Sequence, residues 1–86
     1  MTKCIASADQ ILAWCASFIA RQTQIPPAEI GNDVEFDDFG LDSALVTTML
    51  IELEEWLGVD LPPSLVFEQP TLHRLSRAVA QQLEEA

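Results

Sequence analysis

Positive charge is scarce in this sequence. Lys3, Arg21, Arg74 and Arg77 stand against fourteen carboxylates, which leaves a net charge of −10. A field of that sign repels nucleic acid and anionic membranes and attracts basic protein surfaces, so neither of the first two is expected as a partner and basic proteins are. Cysteine is scarcer still, at two residues. Cys4 and Cys15 form no CxxC pair and have no histidine pair nearby, which argues against both a zinc site and a disulfide framework. Cys15 is expected to pack as a small hydrophobe. The longest apolar run, Ile11 to Ala16, is far too short to cross a bilayer. Lys3 is followed by no uniformly apolar stretch before Asp9 and Gln10, so no signal peptide is read and a cytoplasmic location is expected. Sustained β alternation, internal repeats and low-complexity segments are also missing.

The ingredients of catalysis are absent too. There is no glycine-rich phosphate loop, no metal-ligand cluster and no Gly-x-Ser-x-Gly elbow. Ser43, His73 and Asp42 supply the residue types of a hydrolase triad. The base must lie between nucleophile and orienting acid, however, and Asp42 adjoins Ser43 in the chain. Asp33-x-Glu35-x-Asp37 has the alternation of a calcium loop. Its sixth position is Asp38 where glycine is needed, and its twelfth is Ala44 where a bidentate glutamate is needed. No metal site is read. A domain this small has little volume for a water-excluding pocket, so the chain is not expected to be an enzyme.

What is present suffices for one globular domain. Of 86 residues, 49% are hydrophobic and 21% charged, a composition that supports a core and argues against disorder. The core is expected over about residues 8 to 85 of a single domain spanning 1–86. Ser7-Ala8-Asp9-Gln10 has the spacing of a capping box, and Ile11, Cys15, Phe18 and Gln22 recur at helical intervals, giving a first helix over about 8 to 22. Ile25-Pro26-Pro27 ends it. A long loop runs to Asp42, with Ile30, Val34, Phe36, Phe39 and Leu41 expected to pin it to the core and Asp33, Glu35, Asp37 and Asp38 expected in water. A second helix is expected from Ser43 to about Leu57, with Gly58 as its C-cap. Val46, Met49, Leu50, Leu53 and Leu57 form its buried stripe, Leu45 and Trp56 flank it, and Ala44, Thr47, Thr48, Ile51, Glu54 and Glu55 lie opposite. Leu65, Val66 and Phe67 suggest a short apolar helical turn. Pro70-Thr71 then caps a last helix whose stripe is Leu72, Leu75, Val79 and Leu83, with His73, Arg74, Arg77, Gln81 and Gln82 outward. The fold class is all-α, three main helices plus a short one.

The stretch Gly40-Leu41-Asp42-Ser43-Ala44 joins the long loop to the strongest helix. Ser and Asp are favoured at helix starts because their oxygens accept unpaired backbone N–H groups, and the partial positive charge there favours a phosphate. Ser43 is therefore readable as a simple cap or as an exposed hydroxyl suited to modification by another enzyme.

Three blocks carry a resemblance: Phe39-Gly40-Leu41-Asp42-Ser43, Leu53 to Pro62 (Leu-Glu-Glu-Trp-Leu-Gly-Val-Asp-Leu-Pro), and Leu65 to Leu72 (Leu-Val-Phe-Glu-Gln-Pro-Thr-Leu). Together they resemble the acyl and peptidyl carrier proteins of fatty acid, polyketide and nonribosomal peptide biosynthesis, across nearly the whole chain from about Ile11 to Leu83. The resemblance implies an acyl-carrier-like bundle. It implies that Ser43 is the attachment point for phosphopantetheine, moved from coenzyme A by a separate phosphopantetheinyl transferase with Mg²⁺, and that Asp42 presents the hydroxyl to it. Acyl intermediates would then ride as thioesters on the arm, which concentrates them at each active site the carrier visits.

Carried over by position, the docking surface is Leu41, Ala44, Leu45, Thr48, Ile51, Glu52 and Glu55. The chain departs from the fatty-acid-synthase type at Ala44, Leu45 and Thr48, where that type has leucine and acids, so docking is expected to rest more on apolar contact than on salt bridges. Residues 61 to 71 look like polyketide-synthase carriers. Asp-Ser-Ala together with Glu-Trp-Leu-Gly is similar to carriers loaded by fatty acyl-AMP ligases or related adenylating enzymes. The partners implied are the transferase, an acyl-loading enzyme (an adenylating ligase or acyltransferase) and a ketosynthase, condensation or other tailoring enzyme. The carrier itself is expected to be a monomer. One reading from a different class stands beside it: an acidic helical adaptor in which Ser43 is only a cap and no cofactor is attached.

Overall fold

In a computed structural model, which describes residues 7–85, the helical periodicities become four helices: α1 (Ala8–Thr23), α2 (Ser43–Leu57), α3 (Leu65–Glu68) and α4 (Leu72–Glu85). Cys4 and Lys3 lie outside the described residues. Among those described there is no strand, only an isolated antiparallel bridge between Glu35 and Thr71.

The three long helices each begin at a side-chain cap, which the short α3 lacks. The capping box of α1 is present: Gln10 N–H donates to Ser7 Oγ at 3.2 Å, and Ser7 N–H to Gln10 Oε1 at 2.8 Å. At its other end Gln24, not a proline, makes the turn. It adopts a left-handed backbone (φ 63°) and returns its N–H to the Ala20 carbonyl at 2.8 Å before Pro26 is reached. The sequence has no glycine there, so this cap leaves no compositional mark. Gly58 closes α2 at φ 72°, its N–H on the Glu54 carbonyl at 2.7 Å. Thr71 caps α4 by accepting from Arg74 N–H at 3.2 Å.

The core is made by the stripes. Ile11, Cys15, Phe18 and Ile19 of α1 meet Leu72, Leu75, Val79 and Leu83 of α4, the most extensive helix pairing in the molecule, and Val46, Met49, Leu50 and Leu53 of α2 complete it. Leu57, expected within the buried stripe, is half-buried at the core's edge, and Gln22 is exposed. Trp56 leaves 47% of its surface exposed, but its ring stacks on Trp14 at 5.7 Å and 8°, which links α2 to α1. Trp14 in turn lies 6.1 Å from Phe18, whose ring carries the Arg21 guanidinium at 6.0 Å.

The long loop is packed, with one correction. It contains single 3-10 turns at Pro27–Glu29 and Phe36–Phe39, and Ile30, Phe36 and Leu41 are buried as anchors while Phe39 is half-buried. Val34 is exposed, because Phe36 takes the inward position beside the Glu35–Thr71 bridge. Main-chain bonds tie the loop to the start of α4: Phe36 N–H donates to the Pro70 carbonyl and His73 N–H to the Asn32 carbonyl, each at 2.9 Å. Glu54, expected on the solvated face, is half-buried and accepts from Leu61 N–H at 2.6 Å, which holds the chain after α2. In α3 Leu65 and Val66 are buried but Phe67 turns outward.

Two predictions follow from the core. Leu53 is fully buried, so Leu53→Ala should cost about 2–5 kcal/mol in urea denaturation. Burial pushes the Cys15 thiol from its ordinary 9.0 up to about 12. Because the folded state holds that proton more tightly than the unfolded chain, the thiol's contribution to stability is complete below 9.0 and is lost as pH rises toward about 12. The alkaline fall in stability should be shallower in Cys15→Ala than in the wild type.

Candidate functional site

The approach to α2 is built from backbone geometry. After the 3-10 turn of Phe36–Phe39, Gly40 reverses the chain at φ 78° and donates its N–H to the Asp37 carbonyl at 3.1 Å. A Cβ placed on Gly40 would meet nothing within 4 Å, so the left-handed dihedral, not space, calls for glycine there. Leu41 follows, 3% exposed, and fastens the segment to the core.

Asp42 and Ser43 then divide the work of starting the helix. Asp42 is the N-cap, extended at φ −85° and ψ 174°, and its Oδ1 accepts from Leu45 N–H at 2.8 Å. Its carbonyl accepts from Val46 N–H at 3.1 Å. Ser43 is the first helical residue and is exposed. The reading of Ser43 as the cap is therefore corrected: aspartate does that work, and among the described residues the Ser43 hydroxyl makes no hydrogen bond. The N–H groups of Ser43 and Ala44, which have no partner within a helix at these positions, stand next to that hydroxyl.

The donor set suits a phosphodiester esterified to Ser43, since unpartnered N–H groups and the helix dipole both favour an anion there. Beside Ser43 opens a cleft of about 230 Å³, floored by the buried Phe36, Val46 and Val66 and flanked by Asp42. Sequence reasoning had no means of finding this cleft, because it is assembled from loop, α2 and α3.

Of the residues expected to form the docking face, Ala44, Thr48, Ile51, Glu52 and Glu55 are exposed on α2 and Leu45 is half-buried. Ile51 leaves 50% of its surface in solvent. Thr48 donates its hydroxyl to the Ala44 carbonyl at 2.9 Å, one turn back. Leu41 is corrected: buried, it offers no surface and acts as an anchor. His73 is exposed, as expected, with Nε2 at 3.5 Å from Arg77 Nη1. Among the described residues, no group of three or more His, Cys, Asp or Glu side chains gathers as a metal site. No helix among them is long and apolar enough to cross a membrane.

Comparisons with known proteins converge on the same region. A family model described as the phosphopantetheine attachment site matches residues 14–79. The acyl carrier protein TtuC of Teredinibacter turnerae is 32% identical over 74 residues, covering 86% of this chain and 85% of that protein. Erythronolide synthase EryA3 of Saccharopolyspora erythraea is 38% identical over 58 residues, 67% of this chain and 2% of the synthase. Among solved structures, the Anabaena acyl carrier protein Asl1650, which has a variant phosphopantetheinylation-site sequence, aligns with a TM-score of 0.85 at 31% identity over 96% of both chains. A free-standing peptidyl carrier protein from Acinetobacter baumannii aligns at 0.82 with 25% identity, covering 90% of this chain and 96% of that one.

The division of labour at the helix start has a thermodynamic signature. Asp42→Ala should lower stability by about 0.5–2 kcal/mol through loss of the cap. Ser43→Ala, removing a hydroxyl with no cap bond, should stay within about 0.5 kcal/mol of wild type in the same urea titration.

Proposed function

The chain belongs to the phosphopantetheine attachment site family, and from that premise we propose that Ser43 is the residue that carries the arm. The protein is a carrier and not itself a catalyst. Its cofactor is phosphopantetheine, which supplies a thiol on which acyl groups are held as thioesters. Membership replaces the adaptor reading, which required a chain without a covalent cofactor. The observation that carries the assignment is the free Ser43 hydroxyl beside a cap made by Asp42.

The chain's own contributions are those of position. Gly40 and Leu41 fix the approach, Asp42 secures the first turn and presents the hydroxyl, and Ser43 Oγ would form the new bond to the pantetheine-side phosphorus of coenzyme A, losing its proton as the pyrophosphate bond breaks and the adenosine bisphosphate half departs. The N–H groups of Ser43 and Ala44, unpaired at the helix start, would favour the phosphodiester's negative charge. Neither cysteine is needed, and the buried Cys15 thiol is held protonated by its surroundings.

In this reading the carrier serves polyketide or related natural-product assembly. It is modified by a phosphopantetheinyl transferase, loaded by an adenylating ligase or acyltransferase and visited by ketosynthase, condensation or tailoring enzymes, as a monomer in the cytoplasm. Partners approach over Ala44, Leu45, Thr48, Ile51, Glu52 and Glu55. Two apolar or small residues at the head of that face, Ala44 and Leu45, together with Ile51 favour apolar contact within an acidic surround. The similarity of the Asp-Ser-Ala and Glu-Trp-Leu-Gly segments to ligase-loaded carriers supports an adenylating enzyme as the loading partner.

Intact mass tests the assignment. After incubation with coenzyme A, Mg²⁺ and a broad-specificity transferase, the wild type should gain one phosphopantetheine and Ser43→Ala none. Equal gain by the variant would remove Ser43 from the role.

A further inference from the structure

The helix α4 carries its charges against its own dipole. Arg74 lies in its first turn, where the exposed N–H groups disfavour a cation, and Glu84 in its last, where the unpaired carbonyls disfavour an anion. Neither placement helps the helix, so its stability does not account for them. The cations are also gathered. In a chain with four lysines and arginines and one histidine, Arg74, Arg77 and His73 share one groove of about 550 Å³ along α4, with Ala8 of α1 and Ala78 beside them and Glu84 toward the end of the helix. All three basic side chains are exposed.

Arg77 Nη1 lies 3.5 Å from His73 Nε2, and among the described residues neither guanidinium forms an ion pair. The Ser43 cleft is the reverse: Glu35, Asp37 and Asp42 line it, and among the described residues it shares none with the groove. Solvated arginines are ordinary on a surface. These two are set against the dipole, unpaired, and close enough to offer a pair of planar forks to carboxylates. Residues three apart on a helix stand about 5–6 Å apart at Cβ, a spacing that carboxylates three or four apart on a second helix reproduce. Charges are screened beyond about 8 Å at physiological ionic strength, so a group entering the groove meets these cations rather than the net charge of −10. A long polyanion or an anionic membrane extends past that distance into the acidic surface, and a second copy brings the same net charge with it.

We propose that this groove is a separate docking surface, and that its occupant is a helix of a protein partner bearing two carboxylates one turn apart, each received by one arginine. The small side chains of Ala8 and Ala78 leave room for such a helix to lie against α4. The inference does not depend on Ser43 being the attachment point. It gives the chain two faces of opposite sign: an acidic one around Ser43 for basic visitors, and a cationic one on α4 by which an acidic partner holds the chain through residues the Ser43 cleft does not use.

The probe is a capped alanine–glutamine peptide of about 16 residues, long enough to form helix in water, with two glutamates four positions apart; a control peptide has glutamine at both. Titrated at low salt into the isotope-labelled chain and followed by NMR, the glutamate peptide should shift the amide resonances of His73, Arg74, Arg77 and Ala78, and the control should not. The double variant Arg74→Gln/Arg77→Gln should bind about fivefold or more weakly, the scale expected when a charged hydrogen-bond donor is lost. Its urea midpoint should equal or exceed that of the wild type, because the helix loses a cation from its first turn. No shift on α4, equal shifts from the control, or equal binding by the double variant would each overturn the docking surface. A lowered urea midpoint would overturn it as well, since the arginines would then be serving the fold. Sedimentation in which the wild type self-associates and the double variant does not would overturn the partner helix in favour of a second copy.

Discussion

The hydrogen bond from Leu45 N–H to Asp42 Oδ1, 2.8 Å long, is the contact on which the rest of the site depends. A helix start must satisfy exposed N–H groups, and serine and aspartate are both able to do so. Placing the aspartate one residue ahead gives it the capping geometry and leaves the serine inside the helix with its hydroxyl unengaged. Exchange the two roles and the hydroxyl would be tied to the backbone. The arrangement works only because the chain arrives extended, and that follows from the left-handed Gly40 and the buried Leu41 immediately before it.

Those two residues depend on the loop as a whole. A connection of this length would be costly to order if it hung free. It is instead fixed at both levels, by the buried Ile30, Phe36 and Leu41 and by main-chain bonds from Phe36 N–H to the Pro70 carbonyl and from His73 N–H to the Asn32 carbonyl that join it to the head of α4. The Ser43 hydroxyl thus stands on three supports: the cap, the loop and, across the cleft, the short α3. The surface around them is acidic, a field that favours basic partner surfaces.

Much of this was legible from residue order, and for a definite reason. The stripes Ile11/Cys15/Phe18 and Leu72/Leu75/Val79/Leu83 each follow one face of a helix, and Ser7 with Gln10 and Gly58 mark ends by chemistry that acts over three or four residues. What escaped was set by contacts between distant segments. Gln24 takes a left-handed turn that sequence assigns to glycine. Glu54 reads as a solvated acid until Leu61, seven residues on, is found donating to it. Leu65, Val66 and Phe67 read as one apolar turn, but three successive residues point in three directions, and only two of them can face the bundle. Leu41 belongs to the site by sequence and to the core by burial. The division between Asp42 and Ser43 could not be seen either, because both residues satisfy the same preference and only the backbone dihedrals separate them.

The stacking of Trp56 on Trp14 has a consequence outside recognition. These are the chain's two tryptophans, so its intrinsic emission under indole excitation arises from a single coupled pair of parallel indoles. Trp56 lies thirteen residues beyond Ser43, about 20 Å along the helix, which removes the pair from the head of the helix. The protein therefore contains its own optical gauge of how α1 and α2 sit against each other. That gauge needs no added dye and reads the bundle while the serine end is engaged in exchange of its cargo.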